Sequence, residues 1–426
     1  MSALACLDQA RPKTQPGEVA AAVNAALEAD ALQNRSAEHS VLAKRRAGEL
    51  LRLLQKTPKK SAATAAGDSE YRKVLNETGL KERTAQYWQQ LSDIPEDVVQ
   101  EYFSTVRHHG SEVTAKGLVG FFTRRELVTT LAEKFGAPPF SVLDAKQGYF
   151  MNRQRAWEGL GISGEAGRDD EHAPALGSSL NRFGQRTDKS VFNCALTETM
   201  YQWFAPPGGR ILDPFAGGSP RGIVAAKLGY GYTGIELRPG LVEENRRQAQ
   251  KIGVNPTWVC GDSAKLSGHV GETEEFDLIF TCPPYFDLER YTEAHSEDLS
   301  NCKTYDAFML LYEFIFNQAV ARLKEDRFAV VVVGEIRDAR GFYRNFVGDT
   351  VSLFMRLGLH FYNEIIFATP LGSLPFRGGG QFAKYRKVLK SHQNVLVFWK
   401  GDDPTRIPEA LGILTAAEPE AIEKAA

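Results

Sequence analysis

Cysteine is scarce in this chain: Cys6, Cys194, Cys260, Cys282 and Cys302 are the five among 426 residues, and no two form a Cys-x-x-Cys pair. That scatter argues against a zinc site and a disulfide framework, and it fits a reducing, cytoplasmic setting. No apolar run reaches 18 residues, so no membrane span is expected. The opening "MSALACLDQARP" lacks a basic-then-apolar signal, so secretion is not expected either. Excess charge is also missing. Lys and Arg number 51 against 53 Asp and Glu, a net charge of -2, so any contact with a polyanion must come from a local patch. What remains is an ordinary globular composition, 43% hydrophobic and 24% charged, in a chain long enough for two or three domains.

The first part reads as helical. Residues 17–56 carry apolar side chains at three-to-four spacing, and Thr57–Ser69 is a linker rich in small residues. In "YRKVLNETGLKERTAQYWQQLSDIP" one short helix ends near Gly79 and a second runs from about Lys81 to Leu91. That is helix–turn–helix spacing, and it makes residues 1–135 a candidate DNA-binding region. From about residue 136 to 405 the pattern changes. "RAWEGLGISGEAGRDDEHAPALGSSLNRFGQRTDKS" reads as a long surface loop. After it, short apolar strands alternate with helical stretches. The pattern predicts an α/β fold with a doubly wound, mostly parallel sheet, closed by an antiparallel hairpin at its edge with a long loop and no helix between those two strands. Residues 406–426 read as a C-terminal tail.

"ILDPFAGGSPRG" is a strand, then Asp213, then a turn containing Gly217, Gly218 and Gly222, then a helix. The next strand ends in Glu236, and "VCGDS" places Asp262 after a third. Ligands of open α/β sheets bind at these carboxyl ends, and an acid closing the second strand suits a ribose diol. The turn is not the phosphate-binding G-x-G-x-x-G. Asp213 would repel a pyrophosphate and attract a cationic or amino-bearing ligand, which favours S-adenosylmethionine over a dinucleotide. The fourth strand ends in "TCPPY". A Pro-Pro pair cannot continue a central strand; it fixes a carbonyl with no N–H to satisfy, and Tyr285 offers a flat face to a flipped-out base.

These stretches resemble the motifs of S-adenosylmethionine-dependent DNA amino-methyltransferases, which act on N6 of adenine or N4 of cytosine. The resemblance covers roughly Val191 to Gly401, through "DPFAGGSPRG", "GIE", "GDS" and "CPPY", and implies a seven-stranded methyltransferase sheet. The whole chain resembles DNA methylases carried by bacteriophages and prophages, which implies a bacterial host cytoplasm and a link to restriction–modification. Its N-terminal part is similar to the helical DNA-binding region of partition-type proteins. The resemblance implies that Asp213, Phe215, Gly217 and Gly218 surround the methionine part of the cofactor, that Glu236 binds the ribose, and that Asp262 binds the adenine amino group. It implies that the carbonyl beside Pro283 receives the target amine, held by the rigid Pro283-Pro284 pair, and that Tyr285 stacks on the base of duplex DNA. No metal is implied.

Two departures stand out. The family turn usually continues Gly-Ser-Gly-Thr, whereas this chain has Gly218-Ser219-Pro220-Arg221. Cys282 stands where the family has Asp, Asn or Ser, and a thiol is a weak acceptor. Cytosine C5 methylation, with Cys282 as nucleophile and Glu335 as the acid, is therefore an alternative. Others are a DNA-binding regulator with an inactive methyltransferase-like domain, and an RNA methyltransferase. From Ala368 to Gly401 there is no Asp or Glu, and Arg377, Lys384, Arg386, Lys387 and Lys390 lie around a Gly378-Gly379-Gly380 run. This reads as a mobile basic loop at the nucleic-acid phosphates. "FDLERYTEAHSEDLSNCKTY" reads as a lid over the flipped base.

Overall fold

The computed structural model describes residues 15–31, 37–56, 70–109, 111–162, 192–286, 299–371 and 374–414. The chain divides into two compact units, Met1–Val128 and Thr129–Ala426. The expected linker Thr57–Ser69, most of the expected Gly- and Ser-rich surface loop, and most of the expected lid lie outside the described residues. Among the described residues no helix is long and apolar enough to cross a membrane.

The first unit is helical: α1 (Pro16–Ala31), α2 (Ala37–Lys56), α3 (Glu70–Thr78), α4 (Glu82–Asp93), α5 (Glu96–His109) and the start of α6 (Ala115–Phe135). Their apolar stripes meet in one core, with Val23, Leu51, Trp88, Leu91 and Phe103 almost fully buried. α3 and α4 are two short helices joined by a turn, with Gly79 between them in the left-handed region (φ +67°). Arginines of α2 cap the carbonyl end of α4: Arg45 donates to Leu91 O (3.0 Å) and Ile94 O (2.6 Å), and Arg52 to Gln89 O (2.6 Å). The last carbonyls of a helix carry its negative dipole end, and cations suit it. The exposed side of α4 keeps Arg83, Gln86 and Gln90.

α2 passes tightly against α4 at Gly48, where a Cβ would collide with the Trp88 carbonyl. Two effects compete in Gly48→Ala. Helix propensity favours Ala by about 1 kcal/mol, but backbone cannot yield as a side-chain tip can. Overpacking costs roughly 1–3 kcal/mol. We expect net destabilisation of this unit, read as faster hydrogen exchange in α2 and α4 peptides. Unchanged protection would show that the two helices separate without cost.

The second unit is built on one sheet: β1 (Val142–Asp144), β2 (Arg210–Asp213), β3 (Gly231–Glu236), β4 (Thr257–Cys260), β5 (Phe276–Thr281), β6 (Leu323–Val333), β7 (His360–Ala368) and β8 (His392–Lys400). Their order is β1-β7-β8-β6-β5-β2-β3-β4. β8 runs antiparallel to both β6 and β7, and the other pairings are parallel. The expected α/β class is met, with eight strands where seven were expected. The extra strand β1 pairs with β7, so the antiparallel pair is not at the edge. Helices α7 (Gly148–Gly159), α8 (Cys194–Phe204), α9 (Pro220–Lys227), α10 (Pro239–Ile252), α11 (Leu266–His269), α12 (Tyr305–Ala321), α13 (Phe346–Arg356), α14 (Leu374–Tyr385) and α15 (Ile407–Leu411) complete the unit.

Both faces of the sheet are covered, and the side-chain alternation records it. Along β6, Phe328, Val330 and Val332 join one core with Phe204 and Phe367. Ala329, Val331 and Val333 join the other, with Phe308, Phe316 and Phe354. Period-two side chains in a strand buried on both faces give such a continuous apolar run. Burying each large apolar side chain stabilises by roughly 1.5–3 kcal/mol.

Three expectations need correction. Arg155 to Gly159, at the start of the expected surface loop, lie in α7. Gly378-Gly379-Gly380 lie within the helix α14, which also occupies the stretch between β7 and β8 that was expected to have no helix. Three glycines cost a helix about 1 kcal/mol each, and that local cost is why a loop was expected. The expected tail opens with a packed element, since Ile407 and Leu411 of α15 lie against the core.

Candidate active site

β2 is followed by β3 and β4 on one side, and the chain then returns to add β5 on its other flank. The sheet therefore reverses between β2 and β5, and the carboxyl ends at such a switch point form a crevice. The two stretches singled out in the sequence leave the sheet there. The turn after β2 starts at Asp213, and the turn after β5 starts at Cys282.

A cavity of about 850 Å³ opens over these ends. Phe215, Gly217, Gly218, Glu236 and Asp262 line it, and so do Cys282, Pro283, Pro284 and Tyr285. The structure thus brings together nine of the ten residues expected at the cofactor and the reaction centre. The tenth, Asp213, is fully buried beneath the turn and is not part of the cavity wall. Its carboxylate is consumed within the protein. Oδ2 accepts from Arg221 Nε (2.6 Å) and the Tyr232 hydroxyl (2.9 Å), and Oδ1 from the Thr281 hydroxyl (2.7 Å) and Phe215 N (3.2 Å). Arg221 also donates to Phe215 O (2.6 Å) and Ala216 O (3.0 Å). Burial opposes its charge most strongly, but Asp213, with Tyr232 and Cys282 adding to it, holds the guanidinium above its ordinary range. Burial, then Asp213, pushes the Tyr232 hydroxyl well above the usual tyrosine range.

The turn is held from every side. Gly217 N donates to Glu236 Oε2 (3.1 Å), and Asn245 Nδ2 donates to Gly217 O (2.7 Å). Gly217 has φ +54°, a conformation that side chains rarely adopt, so the turn requires glycine there. The other oxygen of Glu236 accepts from Arg238 N (3.0 Å) and Nε (2.8 Å). Asp262 accepts from Ala264 N (2.9 Å), which orients its carboxyl at the wall.

On the other flank Tyr285 is held by its hydroxyl. Gln393 Nε2 donates to it (3.2 Å), and the Cys282 side chain lies within hydrogen-bonding reach. Burial first, then Cys282, pushes this hydroxyl well above its ordinary range, so it stays protonated. The ring stands edge-on to Phe346, with centroids 6.0 Å apart. Sequence reading missed Gln393, and also Met151, Gln154 and Arg155 of α7 in the cavity wall. Gln393 lies 108 residues from Tyr285, and no local pattern joins them.

Glu335 is not in that wall. Its Oε1 accepts Val347 N (3.1 Å) at the start of α13, while Oε2 is buried with no partner among the described residues. The expected phosphate-contacting residues are divided. Lys384 and Arg386 are exposed, whereas Lys390 is partly buried and donates to Asn394 Oδ1 (2.7 Å). Burial also lowers the Lys390 pKa. Lys387 is partly buried beside Gly341, and Arg377 lies in α14.

No family model and no curated protein matches the chain. Solved structures with partial likeness include TrmN from Thermus thermophilus, at 17% identity over 52% of each chain with a TM-score of 0.33. Another is a TehB-like SAM-dependent methyltransferase from Corynebacterium glutamicum, at 19% identity over 52% of this chain and 95% of that one, TM-score 0.31. A third is a candidate DNA modification methylase, also from Thermus thermophilus, at 21% identity over 34% of this chain and 53% of that one, TM-score 0.24. The chain thus spans about half the length of the first and third.

Proposed function

We propose that the second unit transfers a methyl group from S-adenosylmethionine to an exocyclic amine, N6 of adenine or N4 of cytosine, of a base flipped out of duplex DNA. One observation carries this reading: a single cavity joins the glycine turn and strand-end acids to the Cys282–Tyr285 turn. The residues fit such a cofactor. Gly217 and Gly218 allow close approach, Phe215 gives an apolar wall, Glu236 reaches the ribose hydroxyls and Asp262 the adenine amine. When bound, the cofactor supplies an electrophilic methyl on a sulfonium. The carbonyl beside Pro283 accepts an N–H of the target amine and turns its lone pair toward that methyl. Transfer would join that methyl to the amine nitrogen at the expense of its bond to the sulfonium sulfur, and the proton given up by the amine would pass to solvent water. Tyr285, anchored by Gln393, stacks on the base and keeps water from it. The α3–α4 helix–turn–helix binds duplex DNA, and Lys384, Arg386 and Lys387 meet phosphates.

The C5 alternative needs an acid beside Cys282, and Glu335 is engaged at α13 instead. Cys282→Ser decides between the two. Amine transfer predicts activity kept or raised, because an oxygen acceptor replaces a weak one. C5 transfer predicts loss of turnover, and a covalent adduct of the wild-type protein with 5-fluorocytosine DNA. Mass spectrometry of nucleosides from DNA of expressing cells identifies the methylated base. Label on RNA alone would indicate an RNA methyltransferase, and no methylated nucleoside an inactive domain in a DNA-binding protein.

A further inference from the structure

β6 ends beside the candidate active site. A Cβ on Gly334 would lie 3.6 Å from the Tyr285 hydroxyl. The chain then makes a tight turn, residues 337–344, closed by a bridge between Arg337 and Tyr343. The turn is rigid through its own bonds. Phe342 N donates to Asp338 Oδ1 (2.9 Å), Asp338 N to Phe342 O (2.8 Å), and Arg337 Nη1 to Gly341 O (2.8 Å). It returns through Arg344, whose guanidinium lies 4.9 Å from the ring centre of Phe286, the neighbour of Tyr285. The chain thus enters and leaves this turn close to Tyr285 and Phe286.

Its tip is out of character for a folded surface. Phe342 is 64% exposed and Tyr343 48%. Rigid exposed aromatics gain nothing from the core. Cations surround them: Arg337 over the Tyr343 ring (3.9 Å), Arg340 over Phe342 (5.6 Å), and Lys387 Nζ against Gly341. The acid of the turn, Asp338, is occupied by the turn itself and by Arg340 Nε (3.1 Å). Apolar rings among cations, on a rigid mount, suit bases flanked by phosphates.

We propose that the 337–344 turn is a wedge: Phe342 enters the base stack of a duplex and fills the place of the displaced base, while Arg337, Arg340 and Lys387 neutralise the flanking phosphates. This rests on the reading of the cavity as a methyl-transfer site for a flipped base, and adds the element that opens the duplex. A wedge is needed only where a base must leave a stack.

The test uses the full chain with Phe342→Ala and Phe342→Trp, circular dichroism checking that each folds. Methyl transfer from labelled S-adenosylmethionine is measured on one genomic DNA, native and heat-denatured. Permanganate reactivity of thymines in the bound duplex reports unstacking without any transfer. We expect Phe342→Ala to lose about 10- to 100-fold of transfer on native DNA and the permanganate signal. Activity on denatured DNA should be kept, and Phe342→Trp should restore both losses. Equal loss on both DNAs, or loss on neither, overturns the wedge. So does a self-association of the chain that Phe342→Ala abolishes while DNA unstacking is unchanged. Unstacking without transfer by the wild-type chain would overturn the methyltransferase reading and leave the wedge standing. Neither unstacking nor transfer would overturn both.

Discussion

Arg221→Met should unfold the second unit more readily by about 3–5 kcal/mol, the cost of leaving one partner of a buried ion pair alone. The carboxylate of Asp213 is fully buried and Arg221 is its only cationic partner among the described residues. Two further losses accompany it, since the carbonyls of Phe215 and Ala216 give up their guanidinium donor. The turn that would hold the cofactor is built on those carbonyls, so calorimetry should find no S-adenosylmethionine binding. The double variant Asp213→Asn with Arg221→Met should recover most of the stability. It leaves no charge behind, and an amide oxygen can still take a bond from Tyr232 or Thr281. Denaturant unfolding of the three proteins checks this. If the single variant is as stable as the wild type, the pair does not hold the turn. Asp213→Ala should likewise abolish cofactor binding, but through Arg221 left without its carboxylate and not through a lost ligand contact.

The second large effect is expected at Tyr285. Tyr285→Ala removes the flat face on which the base would stack, a contribution of about 1–3 kcal/mol per base, or roughly 5- to 150-fold in rate. Tyr285→Phe keeps the face and loses the hydroxyl's contacts with Gln393 and Cys282, a net contribution of about 0.5–1.5 kcal/mol for each hydrogen bond. The expected order of methyl transfer is therefore wild type, then Phe, then Ala, with S-adenosylmethionine affinity unchanged in both variants. Equal kcat/KM for Phe and Ala would refute stacking. A fall in cofactor affinity would place Tyr285 on the other side of the cavity.

The sequence by itself determined what short-range chemistry encodes. Alternating apolar strands and helices gave the α/β class, because burial on both faces requires continuous apolar runs such as Phe328–Val333. The Gly217-Gly218 turn was legible because few residues tolerate its backbone, and Pro283-Pro284 because it ends a strand. Glu236 and Asp262 were legible because the first ends a strand and the second lies two residues past one. The tertiary structure decided the rest. Asp213 reads as a ligand to a cation until Arg221 folds back beneath the turn and supplies that cation from within the protein. β1 is three residues long and pairs with a strand more than 200 residues later, so no local period marks it. α14 forms across three glycines that locally oppose it. Gln393 meets Tyr285, and Lys387 meets Gly341, only because β8 is laid beside β6. Such partners share no sequence neighbourhood. Their bonds depend on where the sheet places its strand ends, and that is set by the packing of the whole unit.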